Sequence, residues 1–371
     1  MKIRPQSATI IFLLFQSLTI YSQAPDYPFA HPKAYICYKS VGPIIVDGFL
    51  TETEWKLVEW SDLFTDITGN ENAQPYLDTR VKMLWDDNNF YIAAELLEPH
   101  LWGSITQRDN IIFKDNDFEV FIDPDGDNHH YYELEINVLN TVWDLLLTKP
   151  YRDGGAAIDN FDFKGLQTAV ASYGTIDEPN DIDEKWCIEI AIPWHNFEVW
   201  NPKRRAKVPN DGEQWRINFS RVQWELETTP YSYTKKLDYR KNPLEEYNWV
   251  WSPQGVVSLH QPETWGYVQF SKKEAGSTKV EFKPDLDFDL KMALMDVYFQ
   301  QKRYYKEHQT YTKDINELQL SGYNKVHFSK NIKIETMSRR FIAYSQGDKG
   351  IWQIDENSKI TLMLAKPETS H

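Results

Sequence analysis

The chain has 371 residues, of which 41% are hydrophobic, 26% charged and 15% aromatic. That is the composition of a soluble globular protein with room for one large domain and a smaller one. A formal net charge of −15 argues against nucleic acid or anionic lipid as a partner and leaves a neutral ligand as the better fit.

At the N-terminus, Lys2 and Arg4 precede an apolar run from Ala8 to Ile20, followed by Ser22, Gln23 and Ala24. This pattern predicts a signal peptide over residues 1–23, cut near 22–24. No cysteine lies near the cut to take a lipid anchor, so the mature protein is expected to be secreted or periplasmic. No later segment reaches the roughly 18 consecutive apolar residues of a membrane span.

Residues 24–272 are predicted to be all-β. Val81/Met83/Trp85 and Phe90/Ile92/Ala94 alternate on either side of the turn Asp86-Asp87-Asn88-Asn89, a β-hairpin pattern. Phe118/Val120/Ile122, Tyr132/Leu134/Ile136/Val138, Trp186/Ile188/Ile190/Ile192 and Trp215/Ile217/Phe219 mark the apolar faces of further strands. Clusters of Pro, Asn, Asp and Gly separate them, as at Pro209-Asn210-Asp211-Gly212. Strands at this spacing predict an antiparallel two-sheet β-sandwich. A short helical turn is expected at Thr51–Trp55, with a Thr cap and an acidic first turn. Cys37 and Cys187 lie far apart in sequence and are expected to be buried free thiols rather than a disulfide.

Residues 273–283 are polar and read as a linker. A small α+β unit is then predicted over 284–366. It opens with an amphipathic helix over about 285–308, on which Leu290, Leu294, Val297, Gln301 and Tyr304 share one face. A turn at Ile315–Leu318 follows, and then strand-like runs at Lys325–Phe328, Ile332–Met337, Phe341–Tyr344, Ile351–Ile354 and Ile360–Leu364.

By alternation, Glu119, Glu133, Glu135 and Asn137 point away from the core, as do Arg216 and Asn218. Such a face can bind sugar hydroxyls bidentately, with Trp143 or Trp251 as a stacking wall. The competing reading is a satisfied polar network on a face covered by a loop such as 102–113. Asp123, Asp125 and Asp127 alternate as in calcium loops, but the sixth and twelfth positions of an EF-hand hold Asn128 and Leu134. A structural calcium ion and a plain acidic turn both explain this segment, and His129-His130 beside it reads as an exposed loop pair rather than a metal site. No nucleophile elbow, zinc motif, phosphate loop or Cys-x-x-Cys occurs, so nothing points to catalysis.

Several segments, in order, resemble the family 9 carbohydrate-binding module. They are Ile45-Val46-Asp47-Gly48 with Glu54-Trp55, the Leu84-Trp85-Asp86 hairpin, Phe118–Asp123, Trp186–Ile192, Trp215–Ser220, Trp251-Ser252 and Trp265-Gly266-Tyr267-Val268. The resemblance spans about residues 40–270. It implies a β-sandwich that binds sugars and works beside polysaccharide-degrading enzymes without being catalytic itself. In the family, two Trp side chains clamp a sugar ring and polar side chains bind its hydroxyls. By that resemblance Phe113 takes the first Trp position and Glu119 matches the hydroxyl-binding Glu. Glu135, beside Asn137, stands where the family has Arg, Ser220 lies near its Gln, and Leu259 lies near its second Trp. The double-Trp clamp is therefore absent in its usual form. The expected sugar site is Phe113, Glu119, Glu135 and Asn137, with Arg216 fixing orientation and Trp143 or Trp251 as the wall. Two other readings remain at this stage. One is a haem binder with Met83 or His100 as axial ligand, after related sandwich domains. The other is a structural domain that docks a protein partner, with the C-terminal unit as a docking module.

Overall fold

The computed structural model describes residues 31–69, 72–198 and 208–363. The expected signal peptide and the short basic run Lys203-Arg204-Arg205 lie outside them. In chain order the main domain contains β1 (Ala34–Lys39), α1 (Thr53–Lys56), β2 (Thr65–Asp66), β3 (Thr79–Trp85) and β4 (Asn89–Leu97). Next come β5 (Asp117–Asp123), β6 (Tyr131–Asn137), β7 (Val142–Leu147), β8 (Ala157–Ile158), β9 (Gln167–Tyr173) and β10 (Lys185–Pro193). It closes with β11 (Gln214–Gln223), β12 (Leu226–Thr228), β13 (Tyr233–Lys235), β14 (Tyr247–Val250) and β15 (Gly266–Glu274).

One layer runs β8-β7-β6-β5-β11, with β14 attached to β11 and β2 to β14; the other runs β15-β1-β3-β4-β10-β9. The layers are continuous where β11 pairs with β15, over Gln214–Ile217. Their apolar faces meet in one core that joins Phe118, Val120, Ile122, Leu134, Trp215 and Phe219 to Met83, Trp85, Phe90, Ile92, Ile188 and Ile190. The strand alternation read from sequence is the alternation that fills this core. Most pairings are antiparallel, but β1 is parallel to both β15 and β3. Cys37 and Cys187 are both buried and free.

A buried carboxylate fixes the Val46-Asp47-Gly48 element. Glu189 on β10 accepts the N–H groups of Asp47 (2.9 Å) and Gly48 (2.8 Å) and the indole N–H of Trp55 (2.7 Å). Gly48 has φ +87°, and a Cβ there would come within 2.6 Å of the Ala171 backbone nitrogen. Glycine is required on both counts.

The C-terminal unit comprises α2 (Phe288–His308), α3 (Gly322–His327) and a four-stranded antiparallel sheet of β16 (Lys333–Met337), β17 (Arg340–Gln346), β18 (Ile351–Asp355) and β19 (Ile360–Met363). The segment Lys325–Phe328 is not a strand. Ser321 caps α3 by accepting the Asn324 N–H at 3.2 Å, and Val326 points outward at 73% exposure. A four-residue apolar run is too short to separate period 2 from period 3.6, and the cap decides. The unit packs against the sandwich, with Tyr267 of β15 sharing a cluster with Phe288, Met292 and Met295. Asp153, before β8, accepts hydrogen bonds from Tyr298 (2.5 Å), Lys302 (3.0 Å) and Ser358 (2.7 Å). The polar stretch before α2 is tied down as well, since Val280 N–H donates to the Tyr38 hydroxyl and Lys283 N–H to Gln269.

Candidate carbohydrate-binding site

The outer face of the β7-β6-β5-β11 layer divides into two halves. In the first, Phe121, Tyr131, Leu145 and Leu147 are covered by Trp265 and Leu259 of the segment 252–265. Arg216 belongs to this half. Its guanidinium donates to the carbonyls of Pro262 and Glu263 and lies 4.1 Å from the centre of the Tyr267 ring. It therefore clamps the covering segment, four residues along β11 from Ser220, or about 13 Å away. Trp251 is a core residue, packed on Phe219 at 5.9 Å and 1% exposed. It cannot serve as a wall on the open face, because it follows β14 and turns inward. Arg216 and Trp251 are thus not brought together with Glu119.

The second half carries the acidic group. Glu119 lies directly across from Glu135 on β6 and from Ser220 on β11. Asp117 is two residues before Glu119 on the same face. Glu133 lies two residues before Glu135 on the neighbouring strand. All four carboxylates are buried, Asp117 completely. Burial raises the pKa of each above the ordinary carboxylate range, and their mutual repulsion adds to it for Asp117, Glu133 and Glu135. Glu119 is pushed up to about 8 by burial, with the Ser220 hydroxyl pulling the other way and Glu246 adding to the rise.

Phe113 stands at the rim of this group. Its backbone N–H donates to Glu135 Oε2 at 3.0 Å and its carbonyl accepts from the Trp224 indole at 2.9 Å. Phe113 as a whole is 37% exposed. Lys235 lies 3.2 Å from the centre of the Trp224 ring. Burial drives the Lys235 pKa down to about 8, while Asp115 and Glu246 oppose that shift. Asn137 is buried and committed to the protein. Its amide donates to the Ile105 carbonyl and to Asp115, while its oxygen accepts from Leu139 and Thr141. It therefore holds the loop 104–116 that carries Phe113. Trp143 is the cross-strand partner of Glu135; it is half-buried, and its indole N–H has no hydrogen-bond partner.

Trp224 and Asp117 belong to this assembly and sequence alternation did not single them out. Trp224 sits just past the end of β11, where the period-2 pattern stops, and the signal for it would have been an indole next to a predicted strand end.

In the turn after β5, one carboxylate oxygen from each of Asp123, Asp125 and Asp127 lies within 4.8 Å of the others, and Asp123 and Asp127 have partners in the protein. Both oxygens of Asp123 accept backbone N–H groups, from Gly126 (3.0 Å) and Asn128 (2.9 Å). Asp127 faces the ammonium of Lys359 at 2.9 Å. These partners favour an acidic turn held by its own donors and a lysine. Next to it, His129 bonds to the carbonyl of Asn357 at 2.7 Å. Met83 lies in the core of the sandwich, and His100 contacts the Tyr233 hydroxyl at 3.3 Å. Among the described residues no helix is long and apolar enough to cross a membrane.

No curated protein matches the chain. Among solved structures it is similar to a family 9 carbohydrate-binding module from Caldicellulosiruptor kristjanssonii in complex with cellotriose. The identity is 16% and the TM-score 0.39, over 67% of this chain and 100% of that one. The same values hold for that module in complex with glucose. A candidate carbohydrate-binding protein from Bacteroides uniformis ATCC 8492 is 14% identical with a TM-score of 0.45, over 65% of this chain and 100% of that one. Residues 46–219 match the sequence model of the family described as carbohydrate family 9 binding domain-like. Over that segment, the chain resembles the carbohydrate family 9 binding domain-like family.

Proposed function

We propose that the protein is an exported, non-catalytic carbohydrate-binding protein that captures oligo- or polysaccharide for breakdown by other enzymes. A sugar ring stacks on Phe113 at the rim, beside Trp224, and its hydroxyls meet Glu119 and Glu135 beneath. Asn137 acts by holding the loop rather than by touching the sugar. The observation that carries this reading is the exposed Phe113 ring fastened through its own backbone to the Glu135 carboxylate. An apolar face beside convergent buried acceptors is what a pyranose requires. Glu119 and Glu135 are adjacent across the strands and buried, which leaves no space for a glycosidic bond between them and favours binding over hydrolysis. The signal-peptide pattern of residues 1–23 supports export.

A second reading has its own observation. Segments 104–116 and 252–265 lie over the sheet, and a covered face suits a structural or protein-docking domain. Screening residues 24–371 on a glycan array, with Glu119→Ala alongside, separates the two. Selective binding that disappears in the variant supports carbohydrate recognition. Failure to bind any glycan would move the assignment to protein docking.

A further inference from the structure

Three groups of acidic side chains come close enough together to share a cation: Asp109/Asp144/Asp162, Asp123/Asp125/Asp127 and Asp117/Glu119/Glu135. The first is neutralised by Arg108, which reaches all three carboxylates. The second has Lys359 and the backbone N–H groups described above. In the third, among the described residues, no cationic side chain pairs with any member. Arg221, the cation nearest along β11, is turned to Glu98, Gln223 and Thr79. Lys235 is engaged with Trp224.

We propose that Asp117, Glu119 and Glu135 hold one hard divalent cation of the calcium type. One oxygen from each lies within 4.8 Å of the others. Oxygens that share an ion at about 2.3–2.6 Å fall within that separation. An independent observation points to a ligand there. Both oxygens of Asp117 and Oε2 of Glu119 are buried without a hydrogen bond, as is the hydroxyl of Ser220 across the strand from Glu119. The Val222 N–H and the Ser220 hydroxyl are near enough to act electrostatically on Asp117 and Glu119 but do not complete hydrogen bonds in this geometry. Buried acceptors left unpaired are rare in folded proteins, and several aimed at one another rarer still. The donor set is oxygen only, which suits calcium or magnesium and not zinc. Adjacent strands hold the ligands, so the site is built before the ion arrives. This inference does not depend on sugar binding.

The test uses residues 24–371 stripped with a chelator and titrated with Tb³⁺, read by emission sensitised through Trp143 and Trp224. Calcium is then added as competitor, and thermal unfolding is followed with and without it. The expected result is one saturable site, displaced by calcium, with calcium raising Tm. Glu119→Gln should weaken Tb³⁺ binding by about a hundredfold or more, whereas Asp125→Asn should change it by less than about twofold. If Glu119→Gln fails to fold, Asp117→Asn takes its place with the same expectation. The proposal is overturned if the parent chain shows no saturable binding, if the triad variant binds like the parent, or if Asp125→Asn abolishes binding. A metal-free Glu119→Gln that is more stable than the parent and silent to Tb³⁺, beside an equally silent parent, would assign shared protons to the cluster instead. Glu119 and Glu135 also belong to the proposed sugar site, so the ion is read by Tb³⁺ alone and the sugar by the glycan array alone.

Discussion

The Phe113 backbone N–H donates to Glu135 Oε2 at 3.0 Å, so an exposed ring and a buried carboxylate on β6 are held as one unit. Removing the ring should therefore affect ligand capture and not folding. Phe113→Ala is expected to weaken sugar binding about tenfold or more, the equivalent of roughly 1.4 kcal/mol, with little change in Tm. Calorimetric titration beside a melting curve checks both. A large fall in Tm would show that the ring serves packing.

Glu189 and Gly48 define the entry of the chain into the sandwich. Glu189→Ala leaves three donors without an acceptor, two of them buried, and should cost about 3 kcal/mol. Gly48→Ala meets both a left-handed φ and the Ala171 backbone, and should cost at least about 2 kcal/mol. Urea unfolding midpoints report both, and an unchanged midpoint in either variant contradicts this account.

Asp285 links the C-terminal unit to charge. Burial alone would raise its pKa, but Lys291 and Lys349 outweigh burial and hold it down at about 2. A folded pKa below the unfolded value means that the stabilisation is full above about pH 4. It is then lost as pH falls through about 2. Asp285→Asn should remove that part of the acid dependence and cost about 2 kcal/mol at neutral pH. Stability curves from pH 7 to 2 for both chains are the check, and parallel curves would refute it.

Asp153 carries the seam between the units. Asp153→Ala deprives Tyr298, Lys302 and Ser358 of one shared acceptor. Amide exchange in α2 should speed up while the β5–β6 amides stay protected, because the sandwich has its own core. Unchanged exchange in α2 would mean that the apolar contacts around Tyr267 suffice.

The sandwich was legible because its strands bury one face each, so Phe118, Val120 and Ile122 or Trp186, Ile188 and Ile190 announce themselves. The acidic face was legible by the same alternation, which placed Glu119, Glu133 and Glu135 together. The parallel pairing of β1 was not legible, since Ala34 meets Tyr267 across most of the chain and leaves no local mark. Trp251 lies beyond a strand end, where alternation gives no direction, and it turned inward. Arg216 was assigned to the correct face, but position along β11 decides what it touches, and that depends on the covering segment. Asn137 looked like a ligand because sequence cannot show that a loop already uses all its hydrogen bonds.

Affinity electrophoresis through gels cast with a panel of soluble polysaccharides tests the central claim most directly. Residues 24–371 would be run beside Phe113→Ala and Tyr239→Ala, the latter altering an aromatic residue that is 86% exposed and makes no hydrogen bond to the acidic group. The account predicts that at least one polysaccharide retards the parent and Tyr239→Ala equally and leaves Phe113→Ala unretarded. No retardation in any gel, or equal retardation of all three chains, would contradict a sugar site at Phe113.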